Sequence, residues 1–428
     1  MTTPDTTPPP TGRMTLPLAA LLALCHCAAF ADRNLPAVAA PLLKADLHLT
    51  DAQLGLLMGP AFAVLYAVGM LVTLPLGHSP HRFRLLAGCI ATWAIGMVCF
   101  AMAQTFEGLL AARALVGLGQ AAFVPLALAM IVDDAAPHWR ARAMAVFTAG
   151  SAIGRSLALL LGGLALAWLA RWAPAAGLAH WRLMFLVMAA PNLLLMLVLL
   201  GYPYQPSPAA TQSAGLREIL HWLRRRPALA ALYLYGAGGA VLVVQTVGAW
   251  APSVLNREQG LAPATAALAF GVALLFASPL GHLTAGALVD TRARRITPAA
   301  ILAIGLLLVV PPLWATPLAP SATTACLLMA FTSLAGGAAA VAALAGLPAM
   351  LPAHLRGAAV RLFLVFITVV GVGLGPFLAG LVSDGLGGGG NGLSTALSLV
   401  CVSVALSGTV AAWAARSGWR RAAREAAT

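Results

Sequence analysis

The stretch ADRNLPAVAAPLLKADLHLTDAQLGLLMGPAFAVLYA (31–67) decides the fold of this chain. Both of its ends are apolar, and the short polar turn LTDAQ separates them. A helix needs about 20 apolar residues to cross the hydrocarbon core of a bilayer. Apolar sequence continues beyond the stretch on both sides, so the pattern predicts two membrane-spanning helices, near 16–43 and 50–77.

The same alternation of apolar runs and short polar loops continues to the end of the chain. With 61% hydrophobic and 9% charged residues, and a mean hydropathy of +0.91, the composition excludes a soluble globular protein. The 428 residues leave room for about twelve spans and for no sizeable soluble domain. We place the other ten spans near 85–103, 107–131, 143–172, 181–202, 228–256, 263–289, 298–314, 321–350, 357–381 and 394–415.

The net charge of +13 reflects membrane topology rather than nucleic-acid binding. If the N-terminus is cytoplasmic, the basic residues that face outward are Lys44, Arg171, Arg182 and Arg257, and most of the 25 basic residues lie in cytoplasmic segments. Cytoplasmic loops carry such an excess of Lys and Arg. The charge pattern predicts a multi-pass protein of the bacterial inner membrane with both termini inside.

The longest polar stretch divides six spans from six. We predict a disordered tail at 1–14, a first bundle at 15–202, a linker with a short basic amphipathic helix at 203–227, a second bundle at 228–415 and a basic tail at 416–428. The apolar run after Arg13 imitates a signal peptide, but its removal would leave eleven spans. The loops at 77–84 and 286–295 occupy equivalent places, which indicates parallel repeats.

Several stretches carry a resemblance to a known family. Besides 31–67 they are ARALVGLGQAAFVPLALAMIVD (112–133), WAPSVLNREQGL (250–261) and GLGPFLAGLVSD (373–384). The chain resembles a major facilitator superfamily transporter, and most of all the spinster-like branch. The resemblance implies an all-α membrane protein with twelve transmembrane helices in two six-helix bundles related by pseudo-two-fold symmetry, a central cavity and proton coupling.

The chain departs from the pattern of that branch at three positions. His81 stands where the loop usually has Asp, and Gln120 replaces a Glu that is often tied to protonation. Arg155 occupies a position where a small residue or Pro is more usual. The Gln120 replacement leaves proton coupling open.

Ionisable residues inside the spans are functional candidates, because a charge near the bilayer centre costs about 2.5–3.5 kcal/mol or more. Asp32 is the expected proton carrier, since burial favours the neutral form of a carboxyl group. Its expected partner is Arg113 or Arg155 from another helix. The alternative is a fixed Asp-Arg bridge that only tightens the bundle.

Three buried arginines against one carboxylate favour an anionic substrate, because guanidinium binds carboxylate or phosphate through two hydrogen bonds. An acidic amphiphile or lysolipid would also fit, as the spinster resemblance implies. A purely structural role for Arg113 is the alternative. The substrate-binding candidates, chosen as polar positions on shared helix faces, are Arg33, Tyr66, Arg113, Gln120, Ser151, Arg155, Tyr235 and Gln245.

Charged residues in the two equivalent loops could join neighbouring helices in one conformation, as a conformational latch. Its candidate residues are Gly77, Arg82, Asp290, Arg292 and Arg294. The alternative is a solvated loop that only obeys the charge rule.

No motif in the sequence indicates an enzyme, a cofactor or a metal site. Cys25, His26 and Cys27 are consecutive, so on a helix they point about 100° apart and cannot share one ion. We expect a secondary transporter that works by alternating access as a monomer, with a small or lipid-like anion, protons and the bilayer as its partners. A drug-type exporter of neutral or cationic compounds and a non-transporting sensor or scaffold are the alternatives.

Overall fold

The computed structural model describes residues 14–73, 79, 81–172, 177–202, 216–292, 296–387 and 390–426, without the side chains of 137, 141, 152, 216 and 290–292. Within that description, twelve helical segments are long and apolar enough to cross a membrane. The predicted all-α membrane fold is therefore confirmed. The predicted tail at 1–14 and the linker before 216 lie almost entirely outside the described residues.

Helices α1 to α8 form the N-terminal bundle. They are α1 (Leu16–Leu47), α2 (Asp51–Met58), α3 (Pro60–Val72), α4 (Arg82–Met102), α5 (Phe106–Ala121), α6 (Phe123–Asp134), α7 (Pro137–Trp172) and α8 (His180–Gly201). Helix α9 (Leu216–Arg224) lies in the linker. The C-terminal bundle holds α10 (Pro227–Arg257), α11 (Pro263–Arg292), α12 (Pro298–Ala315), α13 (Ala322–Ala349), α14 (Arg356–Ile367), α15 (Gly375–Gly385) and α16 (Gly392–Glu425).

Local sequence explains where the helices begin. The Thr50 hydroxyl caps α2 by accepting from the backbone nitrogen of Gln53, and the side-chain oxygen of Gln53 accepts from the backbone nitrogen of Thr50. This reciprocal pair is a capping box. His48 adopts φ 50°, so the chain leaves α1 just before this cap. The polar turn quoted above is thus a helix stop followed by a helix start.

Three spans are broken rather than continuous, and this differs from the sequence prediction. The second span is divided at Gly59 ahead of Pro60, because proline cannot donate to the helix. The fourth divides at Ala122 into α5 and α6. In the eleventh, the π-helical segment Thr368–Leu374 separates α14 from α15, and such segments are frequent at functional sites.

Twelve crossings put both chain ends on one side, which we call the terminal face, and the opposite side the far face. The two bundles contact each other through α2 and α15, through α3 and the π-helical segment, and through α7 and α11. Glycines permit the closest approach, because a side chain at Gly55 would meet the backbone of Pro376 and Phe377. The bundles are therefore tightly packed at the far face.

The last helix runs further than the sequence predicted. Helix α16 continues to Glu425 instead of ending near 415. Trp419 is buried and its indole nitrogen donates to the carbonyl of Gly346 at 2.9 Å, and Ala422 is buried as well. The basic segment after 415 is therefore the last part of α16, and contacts with the C-terminal bundle hold it in place.

Candidate functional site

Asp32 lies in the middle of α1, with 2% of its surface exposed. Its carboxylate accepts a hydrogen bond from the side-chain amide of Asn192 on α8, at 2.8 Å. The indole nitrogen of Trp93 on α4 donates to the carbonyl oxygen of the same amide, at 3.1 Å. Within the part of the chain that the structure describes, no basic side chain lies within ion-pair distance of Asp32. Asp32 therefore makes no direct ion pair with Arg113 or Arg155 in this structure, and a functional pairing stays a prediction.

Arg113 binds backbone oxygens instead of a carboxylate. Its Nε donates to the carbonyl of Leu57 at 3.0 Å and its Nη2 to the carbonyl of Arg33 at 3.1 Å. Leu57 belongs to the last turn of α2, where carbonyl groups lack partners within the helix. Arg113 thus donates to a carbonyl group that the break at Gly59 leaves without a helical partner, and it joins α5 to α1 and α2.

Arg33 faces a different side of α1 from Asp32, because consecutive helical residues are rotated by about 100°. Its guanidinium lies over three aromatic rings, at 4.6 Å from Phe30, 4.4 Å from Phe62 and 4.7 Å from Tyr66. Cation–π contacts of this kind partly compensate a desolvated charge. The structure thus brings the predicted residues Arg33 and Tyr66 together.

Gln120 completes the surroundings of Arg33. Its side-chain oxygen accepts from Nη2 and Nε of Arg33 at 3.3 and 3.4 Å, and its amide donates to the carbonyl of Ala29 at 2.9 Å. A neutral amide therefore stands where the resemblance implies a carboxylate. The charge of Arg33 is left without a formal counterion among the described residues.

Arg155 connects the two bundles. It lies near the middle of α7, half-buried, and its Nη2 donates to the side-chain oxygen of Gln245 on α10. No carboxylate in the described part of the chain is within ion-pair distance of it. Arg155 and Gln245, predicted separately, form one polar contact between the bundles.

Two other candidates lie outside these contacts. The hydroxyl of Ser151 donates to the carbonyl of Thr148 in its own helix, at 2.8 Å. Tyr235 is 50% exposed and its hydroxyl lies 2.8 Å from that of Ser407 on α16. Neither hydroxyl makes a hydrogen bond to Arg33 or Arg155 among the described residues, although Ser151 lies one turn before Arg155 on the same face of α7.

The residues predicted to form a conformational latch are only partly described. Arg82 is buried and pairs with Asp133 at 2.6 Å, so it joins α4 to α6 within the N-terminal bundle. Gly77 and Arg294, and the side chains of Asp290 and Arg292, lie outside the described part of the chain. A role of these residues in conformational change stays a prediction.

A cluster at the far face was missed by sequence reasoning, and we call Lys44, Asp51, Arg257, Ser383 and Asp384 the far-face cluster. Asp51 is fully buried and pairs with Lys44 and Arg257. Its Oδ2 accepts from the hydroxyl of Ser383 at 2.7 Å, while Asp384 accepts from the Asp51 backbone nitrogen at 2.9 Å. The cluster joins the N-terminal bundle to α10 and α15.

Sequence signals for the missed residues were weak. Asn192 is a lone amide in an apolar span, and nothing in the sequence shows which helix it faces. Asp51, Arg257 and Asp384 each fall in a stretch that carries the family resemblance. Their meeting, across more than 200 residues of chain for Asp51 and Arg257, depends on how the bundles pack.

The described residues contain no group of three His, Cys, Asp or Glu side chains that could hold a metal ion. His26 is buried, and its ring stacks on that of Phe147 at 4.3 Å. It therefore serves as a packing residue between α1 and α7.

Comparisons with known proteins agree with this architecture. The Major Facilitator Superfamily profile matches residues 22–376. The chain is 28% identical, over 94% of its length and 92% of the relative, to an MFS-type efflux pump of Mycolicibacterium smegmatis. It is also 28% identical, over 57% of its length and 59% of the relative, to the 3-(3-hydroxy-phenyl)propionate transporter of Escherichia coli.

Among solved structures, a bacterial homologue of the human lysosomal transporter Spinster, in an inward-facing and unoccupied conformation, superimposes with a TM-score of 0.79. The two sequences are 25% identical, and the match covers 95% of this chain and 96% of the other. The predicted two-bundle fold and the predicted spinster-like resemblance are both confirmed. The chain belongs to the Major Facilitator Superfamily, and it is a multi-pass membrane transporter whose fold is similar to that of a spinster-like protein.

Proposed function

We propose that this transporter moves a small organic anion or an anionic amphiphile across the bacterial inner membrane. The contact between Arg155 and Gln245 is the observation that carries the proposal. It lies near mid-span and combines a positive charge with a neutral partner. An anionic group can replace the amide oxygen of Gln245 and bind the guanidinium through two bonds.

The position of this contact suits alternating access. Arg155 belongs to the N-terminal bundle and Gln245 to the C-terminal bundle. A ligand bound between them has different contacts in each conformation, and only such a difference lets a ligand shift the conformational equilibrium. The Escherichia coli relative is a 3-(3-hydroxy-phenyl)propionate transporter, and propionates are carboxylates, which supports an anionic substrate.

Proton coupling is the second part of the proposal, with Asp32 as the carrier. Protonation of its carboxylate would weaken the bond from Asn192 and so change the packing of α1 on α8. Arg33, the next residue, lies on the other side of α1, against Gln120. Because both residues belong to α1, a proton at Asp32 can affect the Arg33 guanidinium through the packing of that helix, without a direct contact. We expect both termini in the cytoplasm and a monomer as the working unit.

Export of neutral or cationic compounds is the second candidate function. The Mycolicibacterium smegmatis relative that matches almost the whole chain is an efflux pump. A cation site would need an acidic group facing the contact between the bundles, and Asp32 instead faces Asn192.

Uptake by proteoliposomes with an imposed pH gradient distinguishes the two functions. The test compounds are aromatic and aliphatic carboxylates, lysolipids and cationic dyes. We expect the protein to transport an anion among them. The Arg155→Gln variant should weaken its apparent affinity by roughly tenfold or more, as for a lost charged hydrogen bond. Arg171→Gln, an exposed arginine on the same helix, is the matched control. Transport of a cation that Arg155→Gln leaves unchanged would favour the exporter.

A further inference from the structure

Helix α16 presents a largely apolar face outside the bundle, although Ser403 on the same face is also exposed. Leu399, Leu406, Val410 and Trp413 are 46%, 45%, 70% and 46% exposed. Their spacing of seven, four and three residues places them on one side of the helix. The other side packs against α10 and α12. In a membrane protein such an exposed apolar face contacts the acyl chains of lipids.

The same face becomes basic one turn after Trp413. We call Arg416, Arg420, Arg421 and Arg424 the basic stripe; with Ser417 and Glu425 they line an open cavity of about 660 Å³. The Arg416 guanidinium lies 3.9 Å from the Trp413 ring centroid. Tryptophan is enriched where hydrocarbon meets headgroups, so Trp413 marks that boundary on α16.

The positive charge of the basic stripe is not neutralised by an ion pair within the described part of the chain. Glu425 is the carboxylate that lines the cavity, and it pairs with Arg226. Among the described residues, no ion pair includes an arginine of the basic stripe. Four guanidinium groups are therefore held on one ordered helix with a single carboxylate that already has a partner.

We propose that the basic stripe binds the headgroup of an anionic phospholipid. The phosphodiester lies on Arg416 and Arg420, and the acyl chains run along Trp413 and Val410. A soluble phosphate would use only the guanidinium groups. The largely apolar face below them favours a ligand that joins a negative headgroup to long hydrocarbon chains. Basic sites at the end of membrane helices have this ligand chemistry.

The site also contacts the segment between the bundles. Arg226 precedes the first residue of α10, and its guanidinium lies over the ring of Trp222 on α9 at 4.9 Å. Because Arg226 pairs with Glu425 in the same cavity, a bound lipid would sit beside the linker.

Lipid binding is tested by titrating detergent-solubilised protein with phosphatidylglycerol or phosphatidylcholine and counting retained lipids by native mass spectrometry. The variant is Arg416→Gln/Arg420→Gln, and the control is Arg84→Gln/Arg142→Gln, two exposed arginines of the N-terminal bundle. Wild type and control should retain phosphatidylglycerol selectively. The variant should bind it about thirty-fold more weakly, as expected for two arginines at a lipid surface.

A second arm uses glycerol 1-phosphate, which has the phosphate without the acyl chains. It should not compete at concentrations that saturate the lipid. Equal binding of glycerol 1-phosphate would mean a soluble-anion site and overturn the proposal, as would equal retention of the two lipids or unchanged binding by the variant. The unfolding temperatures of wild type and variant in phosphatidylcholine alone show whether the variant is folded. If the double variant unfolds at a lower temperature than wild type there, Arg420→Gln alone should still lower phosphatidylglycerol affinity about five-fold.

Discussion

Asp384, near the end of α15, caps a helix of the opposite bundle that begins at Asp51. Its two carboxylate oxygens accept from the backbone nitrogens of Asp51 and Ala52, at 2.9 and 2.8 Å. An anion at a helix N-terminus satisfies free N–H groups and interacts favourably with the helix dipole. Asp51 meanwhile accepts from Arg257 at 2.8 and 2.9 Å. The far face is therefore closed by bonds that exist only while the bundles are together.

Asp51→Asn should open the far face. The substitution keeps the shape of the side chain but removes the charge that Lys44 and Arg257 bind. Hydrogen bonds to charged groups contribute about 1.5–3 kcal/mol, so the equilibrium should move by roughly tenfold or more. The measurement is the distance between spin labels at Glu107→Cys and Thr323→Cys, on the far ends of α5 and α13, in a background without native cysteines.

Asp46→Asn is the matched control for that experiment. Asp46 also lies at the far face, but it pairs with Arg182 of its own bundle at 3.4 Å. Its loss should leave the label distance as in wild type. If both variants lengthen the distance equally, the far-face cluster has no special part in closure.

Gly380→Ala should also disfavour closure, through sterics rather than charge. A side chain at Gly380 would overlap the backbone oxygen of Asp51, and backbone cannot move aside cheaply. Gly385→Ala, on the same helix, meets nothing within 4 Å. We expect the first variant to lengthen the far-face label distance, and the second to match wild type. Identical distances for the two would show that α2 and α15 do not approach this closely in the membrane.

Asn192→Leu should change the pH dependence of transport. The variant removes the donor that binds the Asp32 carboxylate, and a lost donor disfavours the charged form of the acid. Half-maximal uptake should therefore occur at higher pH than in wild type. The profile is recorded by uptake at stepped external pH.

Trp93→Phe, which keeps an aromatic ring but removes the indole N–H that donates to the Asn192 oxygen, should give a smaller shift in the same direction. An Asn192→Leu profile that coincides with wild type would assign Asp32 a structural role.

Gln120→Glu should weaken anion transport. The new carboxylate would lie where Gln120 now accepts from Arg33 at 3.3 Å, so it would pair with the guanidinium and cancel its charge. The apparent affinity for the anion should fall by about tenfold if Arg33 contributes one charged hydrogen bond.

The loss of apparent affinity in Gln120→Glu should be smaller at low pH, where the introduced carboxylate is protonated. Uptake kinetics at two pH values check both points, with Gln53→Glu, a partly exposed site at the start of α2, as the charge control. Unchanged kinetics would exclude Arg33 from substrate binding.

The sequence by itself determined the spans and the membrane class. Apolar length is a local property, because each helix must satisfy its own backbone in lipid, so Ala31 to Ala67 already indicated a helix, a polar turn and a second helix. The same local logic located Asp32, Arg33 and Arg113 inside the spans. The breaks at Gly59 and in the segment Thr368–Leu374 were not predicted.

Only the tertiary structure decided which side chains meet. Asp32 and Arg33 are neighbours in the chain, yet one contacts Asn192 on α8 and the other Gln120 on α5, because their helical positions face different elements. The pairing of Asp51 with Arg257 joins different bundles. Hydrophobic length sets how many helices cross the membrane, but only packing fixes their neighbours and rotation, and these decide which polar groups make bonds.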